Sequence, residues 1–237
     1  MRPTIKNHIA IDPSLICTAM VVNDKKFAYV GDHVMFTERG KTKQWFTKIE
    51  DIVVFKCYNM VYLEKTHTTL EIKKLSQFIL ICTNIVDDIE SVIGTLGADS
   101  YVAIEGYSYS SGAGPLIDLV TFGSILRITL INRGLPYSNL LIAPPTDLKQ
   151  KAASMVYDPI KKGKDIKYRN HSGVAGGSFN KAEMMQCLLD DPLLAVDEWV
   201  DRLRYHENDL FKTKAIAKPF EDINDAKLLY EWIKRNV

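Results

Sequence analysis

The chain is short of cysteine pairs, of long apolar runs and of any excess of one charge, and each shortage narrows its function. Cys17, Cys57, Cys82 and Cys187 are widely spaced and form no C-x-x-C pair. That argues against a disulfide framework and against a cysteine zinc site, and suits thiols in a reducing compartment. The longest uninterrupted apolar run is Phe78–Cys82, far short of the roughly 20 residues that span a bilayer. Met1–Lys6 lacks the apolar stretch of a signal peptide, so an intracellular location is expected: cytoplasm or nucleoid, or the host cell for a viral chain. Lys+Arg number 30 against 29 Asp+Glu, a net charge of +1. A basic average therefore does not mark a nucleic-acid binder, although phosphate binding needs only a local patch. Gly173, Gly176 and Gly177 lack the spacing and the lysine of a phosphate-binding loop. His8, His33, His67, His171 and His206 show no ligand spacing, and no internal repeat is present.

What is present is a folding sequence: 237 residues, 46% hydrophobic and 10% aromatic, enough for one domain over residues 1–237. His8–Asp12 reads as a buried strand and Thr18–Val22 as its antiparallel neighbour. Ile52–Phe55 and the stretch around Trp45–Phe46 read as further strands. From Leu70 the period changes, with Leu75, Phe78, Ile79, Cys82, Ile85, Val86, Ile89 and Val92 at helical steps up to Gly94. Tyr101–Glu105 (strand), Leu116–Asn132 (helix) and Leu140–Ala143 (strand before Pro144) follow, and a helix starts after Thr146. Lys161–Ser178 reads as a mobile loop. Helices return over Lys181–Leu189, Leu194–Leu203 and about Asp222–Arg235. This alternation spells an α/β fold, a mixed sheet with helical crossovers.

Some acids resist a purely structural role. Asp12 ends an Ile-Ala-Ile run, where an unpaired carboxylate costs several kcal/mol. It either caps the turn at Pro13–Ser14 or meets a compensating cation. Glu105 repeats the pattern at the end of its strand. Asp222 and Asp225 stand one turn apart at the start of the last helix. Asp222 alone reads first as a helix cap; Asp225, on the same side, is harder to explain as one. If the four converge, a divalent cation relieves their repulsion. Two Mg²⁺ about 3.5–4 Å apart are a known arrangement for phosphodiester hydrolysis, and oxygen-only ligands favour Mg²⁺ or Mn²⁺ over zinc.

In order, Ile9-Ala10-Ile11-Asp12-Pro13-Ser14, Ala103-Ile104-Glu105, Pro144-Pro145-Thr146-Asp147-Leu148-Lys149, Asn180-Lys181-Ala182-Glu183-Met184-Met185 and Asp222-Ile223-Asn224-Asp225-Ala226 resemble the motifs of RuvC-type Holliday-junction resolvases. The resemblance implies an RNase H-like mixed β-sheet flanked by helices, with insertions in the first hairpin region and before the last helix. It implies that Asp12, Glu105, Asp222 and Asp225 bind two Mg²⁺ or Mn²⁺ ions, and that Lys149 and Lys181 contact the scissile strand or stabilise charge near it. A homodimer is implied too, and the two-fold symmetry of a four-way junction suits one. The helices ending near Gly94 and starting at Leu116 are the candidate dimer faces.

The chain also departs from that pattern. Residues 152–179 intervene between the two lysine motifs, as a flexible basic insertion. Such enlargement is what a viral or phage member would show. Family members commonly carry a base-stacking aromatic three residues past the glutamate; here that position is Ser108, flanked by Tyr107 and Tyr109. Those tyrosines either stack on bases or pack against the sheet. Lys149, Lys151, Lys161, Lys162, Lys164, Lys167 and Arg169 cluster in sequence with Tyr157 and Tyr168 interleaved, as either a solvated loop or an arm closing on phosphates.

The expected function is a metal-dependent endonuclease that resolves branched DNA in recombination and repair by paired nicks, leaving 5′-phosphate and 3′-hydroxyl ends. A ribonuclease H or DNA-packaging nuclease of the same fold is the alternative. A non-catalytic branched-DNA-binding module is another. An actin-like or sugar-kinase-like ATPase would need a second domain and a second Asp-Gly phosphate motif.

Overall fold

The computed structural model describes residues 4–31, 45–59, 69–107, 113–162, 165–171, 173, 179–211 and 216–237. Six strands form one mixed sheet: β1 (Asn7–Asp12), β2 (Cys17–Val22), β3 (Lys25–Gly31), β4 (Val53–Tyr58), β5 (Ser100–Glu105) and β6 (Leu140–Ala143), in the order β4-β3-β2-β1-β5-β6. β1, β2 and β3 pair antiparallel, and the β2–β3 turn places Asn23 and Asp24 at φ 43° and 70°, the left-handed conformation that a tight hairpin requires. β5 pairs parallel with β1, β6 with β5, and β4 with β3. Parallel neighbours need crossovers, which α1 (Thr69–Ile93) and α2 (Ala113–Asn132) supply around β5.

Strand alternation divides the core in two. Ile9, Ile11, Met20, Val22, Phe27, Tyr29, Val102 and Ile104 pack beneath α1 and α2. The opposite face carries Ala10, Ala19, Ala28 and Ala103, small side chains that let a helix approach the sheet closely. On it lie α3 (Pro145–Val156), α4 (Lys181–Asp190), α5 (Glu198–Leu210) and α6 (Phe220–Asn236). α6 is the central element of that layer, buried without a break from Ile223 to Glu231.

Several expected elements differ. Trp45–Phe46 is a helical turn rather than a strand; Phe46 is buried against Phe55, ring centroids 5.1 Å apart. Ile52 precedes β4, which extends to Tyr58. The helix expected from Leu194 begins instead at Glu198, because the Asp197 carboxylate accepts from the Trp199 and Val200 amides, and Pro192–Leu194 makes a separate 3₁₀ turn. Within the segment expected to be a mobile loop, β7 (Pro159–Lys162) and β8 (Asp165–Tyr168) pair as an antiparallel hairpin; alternating Ile160, Ile166 and Tyr168 supply its strand pattern. Cys17, Cys82 and Cys187 are buried thiols. Among the described residues, Pro115–Asn132 is long and apolar enough to cross a membrane by length and composition, with mean hydropathy 1.4 and 22% of it buried. An uninterrupted-run criterion passes over it, because Asp118, Thr121, Arg127 and Thr129 break the run.

Candidate metal centre

The sheet register brings two of the acids together. Ile11 pairs with Ile104 across parallel β1 and β5, so Asp12 and Glu105 sit side by side at the carboxyl ends of adjacent strands. By alternation they share the face of Ala10 and Ala103, where α6 lies. α6 adds Asp225, and oxygens of Asp12, Glu105 and Asp225 lie within 4.8 Å of one another. Asp222, one turn earlier, is buried beside them, with its Oδ2 lacking a hydrogen-bond partner among the described residues. Asp222 does not cap the helix: the cap position is Pro219, which offers no side-chain bond.

Two ammonium groups enter the cluster. Lys181, the first residue of α4, bonds Asp225 and lies 3.3 Å from Glu221. Asn180 fixes that helix start by accepting from the Glu183 amide at 3.0 Å. Lys218 bonds Asp222 from four residues upstream. Its spacing to Asp222 was a readable sign of pairing, yet Lys218 and Glu221 stand outside the motifs and were missed.

Electrostatics show strain without a metal. Burial, then the charges of Glu105 and Asp222, push the Asp12 carboxyl well above the usual range. Burial and the nearby Asp225 push Glu105 up to about 7. Burial and Asp12 push Asp225 up to about 7, against the pull of Lys181. Burial raises Asp222 as well, although Lys218 opposes it. Burial works against charge on Lys181 and Lys218, but the adjacent carboxylates hold both above the ordinary lysine value. Burial, then Asp222, raises the Cys17 thiol and keeps it neutral beside that carboxylate. Crowded, desolvated acids of this kind favour an added cation. The trio contains only oxygen donors, which suits Mg²⁺ or Mn²⁺ and not zinc.

The other expected site residues are not gathered here. Lys149 lies half-buried in the second turn of α3 and makes no ion pair or hydrogen bond among the described residues. Lys151 covers the Trp232 ring, Nζ 4.3 Å from its centroid, about 10 Å along α6 from Asp225. Lys161 and Lys162 lie on β7, and Lys167 is exposed on β8. Arg169 is exposed and donates to the Gly173 carbonyl at 3.4 Å. Lys164 and Tyr109 fall outside the described residues. Tyr107 is packed against α2: its hydroxyl accepts from Arg127, whose guanidinium lies 5.1 Å from the ring centroid. Gly123 makes room for it, since any Cβ there would overlap the tyrosine hydroxyl.

Compared with known proteins, the chain matches no family model and no curated protein.

Proposed function

We propose that the chain is a divalent-metal-dependent endonuclease of the RNase H-like, RuvC-type kind that nicks branched DNA, four-way junctions above all. The observation that carries this reading is the meeting of Asp12, Glu105 and Asp225, from two adjacent parallel strands and the last helix, within 4.8 Å. A mixed sheet flanked by helices, with acids at the β1 and β5 ends and on the last helix, agrees with what the motif resemblance implies.

Asp12, Glu105 and Asp225 would hold the Mg²⁺ or Mn²⁺. Bound there, such a cation would lower the pKa of a water and neutralise charge on a phosphodiester. The remaining work belongs to the chain's own side chains. Lys181 orients Asp225 and Glu221 and fixes a positive charge beside the trio. Lys167 and Arg169, exposed around the β7–β8 hairpin, supply phosphate affinity without sequence preference. A second copy of the chain is the proposed partner for the outer face of α1 and α2, where Ile72, Leu75, Ile79, Ile117, Val120 and Ile128 are solvent-exposed. Sedimentation should show a dimer that Ile117→Glu dissociates; a monomer at every concentration would remove that partner.

The test of activity is direct. Labelled four-way junction, flap, linear duplex and RNA–DNA hybrid are incubated with Mg²⁺ or Mn²⁺, beside Asp12→Asn. Paired symmetric nicks in the junction are expected. Asp12→Asn should lose more than about a hundredfold, the upper end for partners that merely orient a ligand, while still binding the junction. Cutting confined to the hybrid or the linear duplex would keep the metal centre and overturn the substrate. Tight junction binding with no cutting would favour a binding module.

A further inference from the structure

Most of the described arginines are neutralised by acids. Arg133 pairs with Asp87 and Glu90, Arg202 with Asp51, Arg204 with Asp201 and Arg235 with Asp191. Arg169 donates to a carbonyl from an exposed position. Arg127, in the second half of α2, is half-buried and has no carboxylate partner among the described residues. Its Nε donates to the Gly123 carbonyl at 2.7 Å and its Nη2 to the Tyr107 hydroxyl, both neutral oxygens. Nη1 makes no bond among the described residues, so one edge of the guanidinium fork is unspent. Burial pulls the Arg127 pKa down, with no acid acting against it. A partly desolvated cation without counter-charge is a ready partner for an anion.

The surroundings are built around this side chain. Tyr107 supports it, with the guanidinium over the ring at 5.1 Å from the centroid. Glycine weakens a helix interior relative to alanine, yet Gly123 is needed there, because a Cβ would overlap the Tyr107 hydroxyl. Tyr107 follows Glu105 by two residues, about 7 Å of chain at most, and Gly106 between them is tied to the Ala143 carbonyl at 2.7 Å. Arg127 is therefore held near the sheet edge that carries the acidic trio, on the α2 side rather than the α6 side.

We propose that Arg127, held by the ring and hydroxyl of Tyr107, binds a backbone phosphate of the DNA strand that passes the acidic trio. A strand crossing this sheet edge meets the acids on one side and the guanidinium on the other. The planar fork matches two phosphate oxygens and carries no base preference. Tyr107 is then a positioning residue that presents Arg127, in place of an aromatic that stacks on bases. This inference rests on the nuclease reading above.

The salt dependence of four-way-junction binding by the full chain, measured in EDTA, tests this without any cutting. Arg127→Gln keeps an amide donor near Tyr107 and removes the charge. It should make the slope of log affinity against log salt shallower by about 0.9, the share of one phosphate contact. Arg127→Lys should keep the wild-type slope, since the charge remains. A clamp that merely pins the exit of β5 would leave the slope untouched in every variant. An unchanged slope in an Arg127→Gln chain with wild-type circular dichroism would therefore overturn the proposal and leave the nuclease reading standing. Should Arg127→Gln fail to fold, arginine labelling of the wild-type chain with phenylglyoxal decides. The junction should protect Arg127, and equal labelling with and without junction would sink the proposal. Absence of binding to junction, flap, duplex and hybrid alike would remove the nuclease reading and the proposal with it.

Discussion

Near its start, α6 gives Asp225 to the trio with Asp12 and Glu105; further along it gives Glu231 to a second trio with Asp24 and Asp197, whose oxygens also approach within 4.8 Å. By distance alone the two groups are alike. In the second, fully buried Lys227 bonds Asp24 at 3.1 Å, Asp197 at 2.8 Å and Glu231 at 2.7 Å. Lys234 adds a bond to Asp24 at 3.0 Å, and Arg235 lies 3.4 Å from Glu231. All three cations come from α6 itself, so the helix that brings Glu231 also brings its neutralising charges. The pKa shifts run in opposite directions accordingly. Burial would raise Asp24, but Lys227 and Lys234 hold it below the ordinary carboxylate value, whereas Glu105 and Asp225 are raised to about 7. The difference lies in counter-charge: among the described residues one ammonium, Lys181, pairs with the first trio, whereas Lys227, Lys234 and Arg235 all serve the second.

The sharpest way to break this contrast is to remove the central ammonium from each group. Lys227→Met should lose about 3–5 kcal/mol of stability, because it strips the shared, fully buried ammonium from Asp197 and Glu231. Lys181→Met, measured by urea unfolding with saturating Mn²⁺, should lose far less, because the ion supplies the missing charge. Equal losses would erase the distinction.

The next effect is on pH dependence. Unfolded Glu105 and Asp225 release their protons near their ordinary values of 4.5 and 3.8, while the folded carboxyls hold theirs up to about 7. Between those limits the folded chain binds more protons than the unfolded one. Metal-free stability should therefore fall as pH rises toward about 7. Melting curves in EDTA from pH 5 to pH 8 should show that fall, and saturating Mn²⁺ should abolish it. A melting temperature that climbs through this window in EDTA would contradict the raised values.

The smallest effect belongs to the rim of the closed network. Lys234 and Asp24 are half exposed, so Lys234→Met should cost at most about 1 kcal/mol and less as salt is added. A larger, salt-independent loss would mean that the second trio depends on Lys234 as well as on Lys227.

The parts of this arrangement legible in sequence are those set by local pattern. β1 and β5 announce themselves as apolar runs ending in Asp12 and Glu105, and strand alternation then dictates that both face α6. The periodicity of α1 and the Asp222–Asp225 spacing on α6 are equally local. What escaped depends on long-range packing. Trp45 and Phe46 look like a strand, but they fold as a helical turn because Phe46 packs on Phe55 and Trp45 on Phe220. Tyr107 looks available for stacking, but it is spent on Arg127 and Gly123. Lys151 looks like a phosphate ligand, but it lies over Trp232. Lys218 and Lys227 stand at i,i+4 from Asp222 and Glu231, a readable sign of pairing, but not of burial, since a lysine beside acids in sequence usually stays in solvent. The burial of Lys227 follows from where α6 lies on the alanine-lined face of the sheet.

The decisive measurement is an anomalous difference map from a crystal of the full chain soaked in Mn²⁺. A peak among Asp12, Glu105 and Asp225, with none among Asp24, Asp197 and Glu231, is the expected result. A peak only in the second trio, or none in the first at saturating metal, would contradict the metal-centre reading.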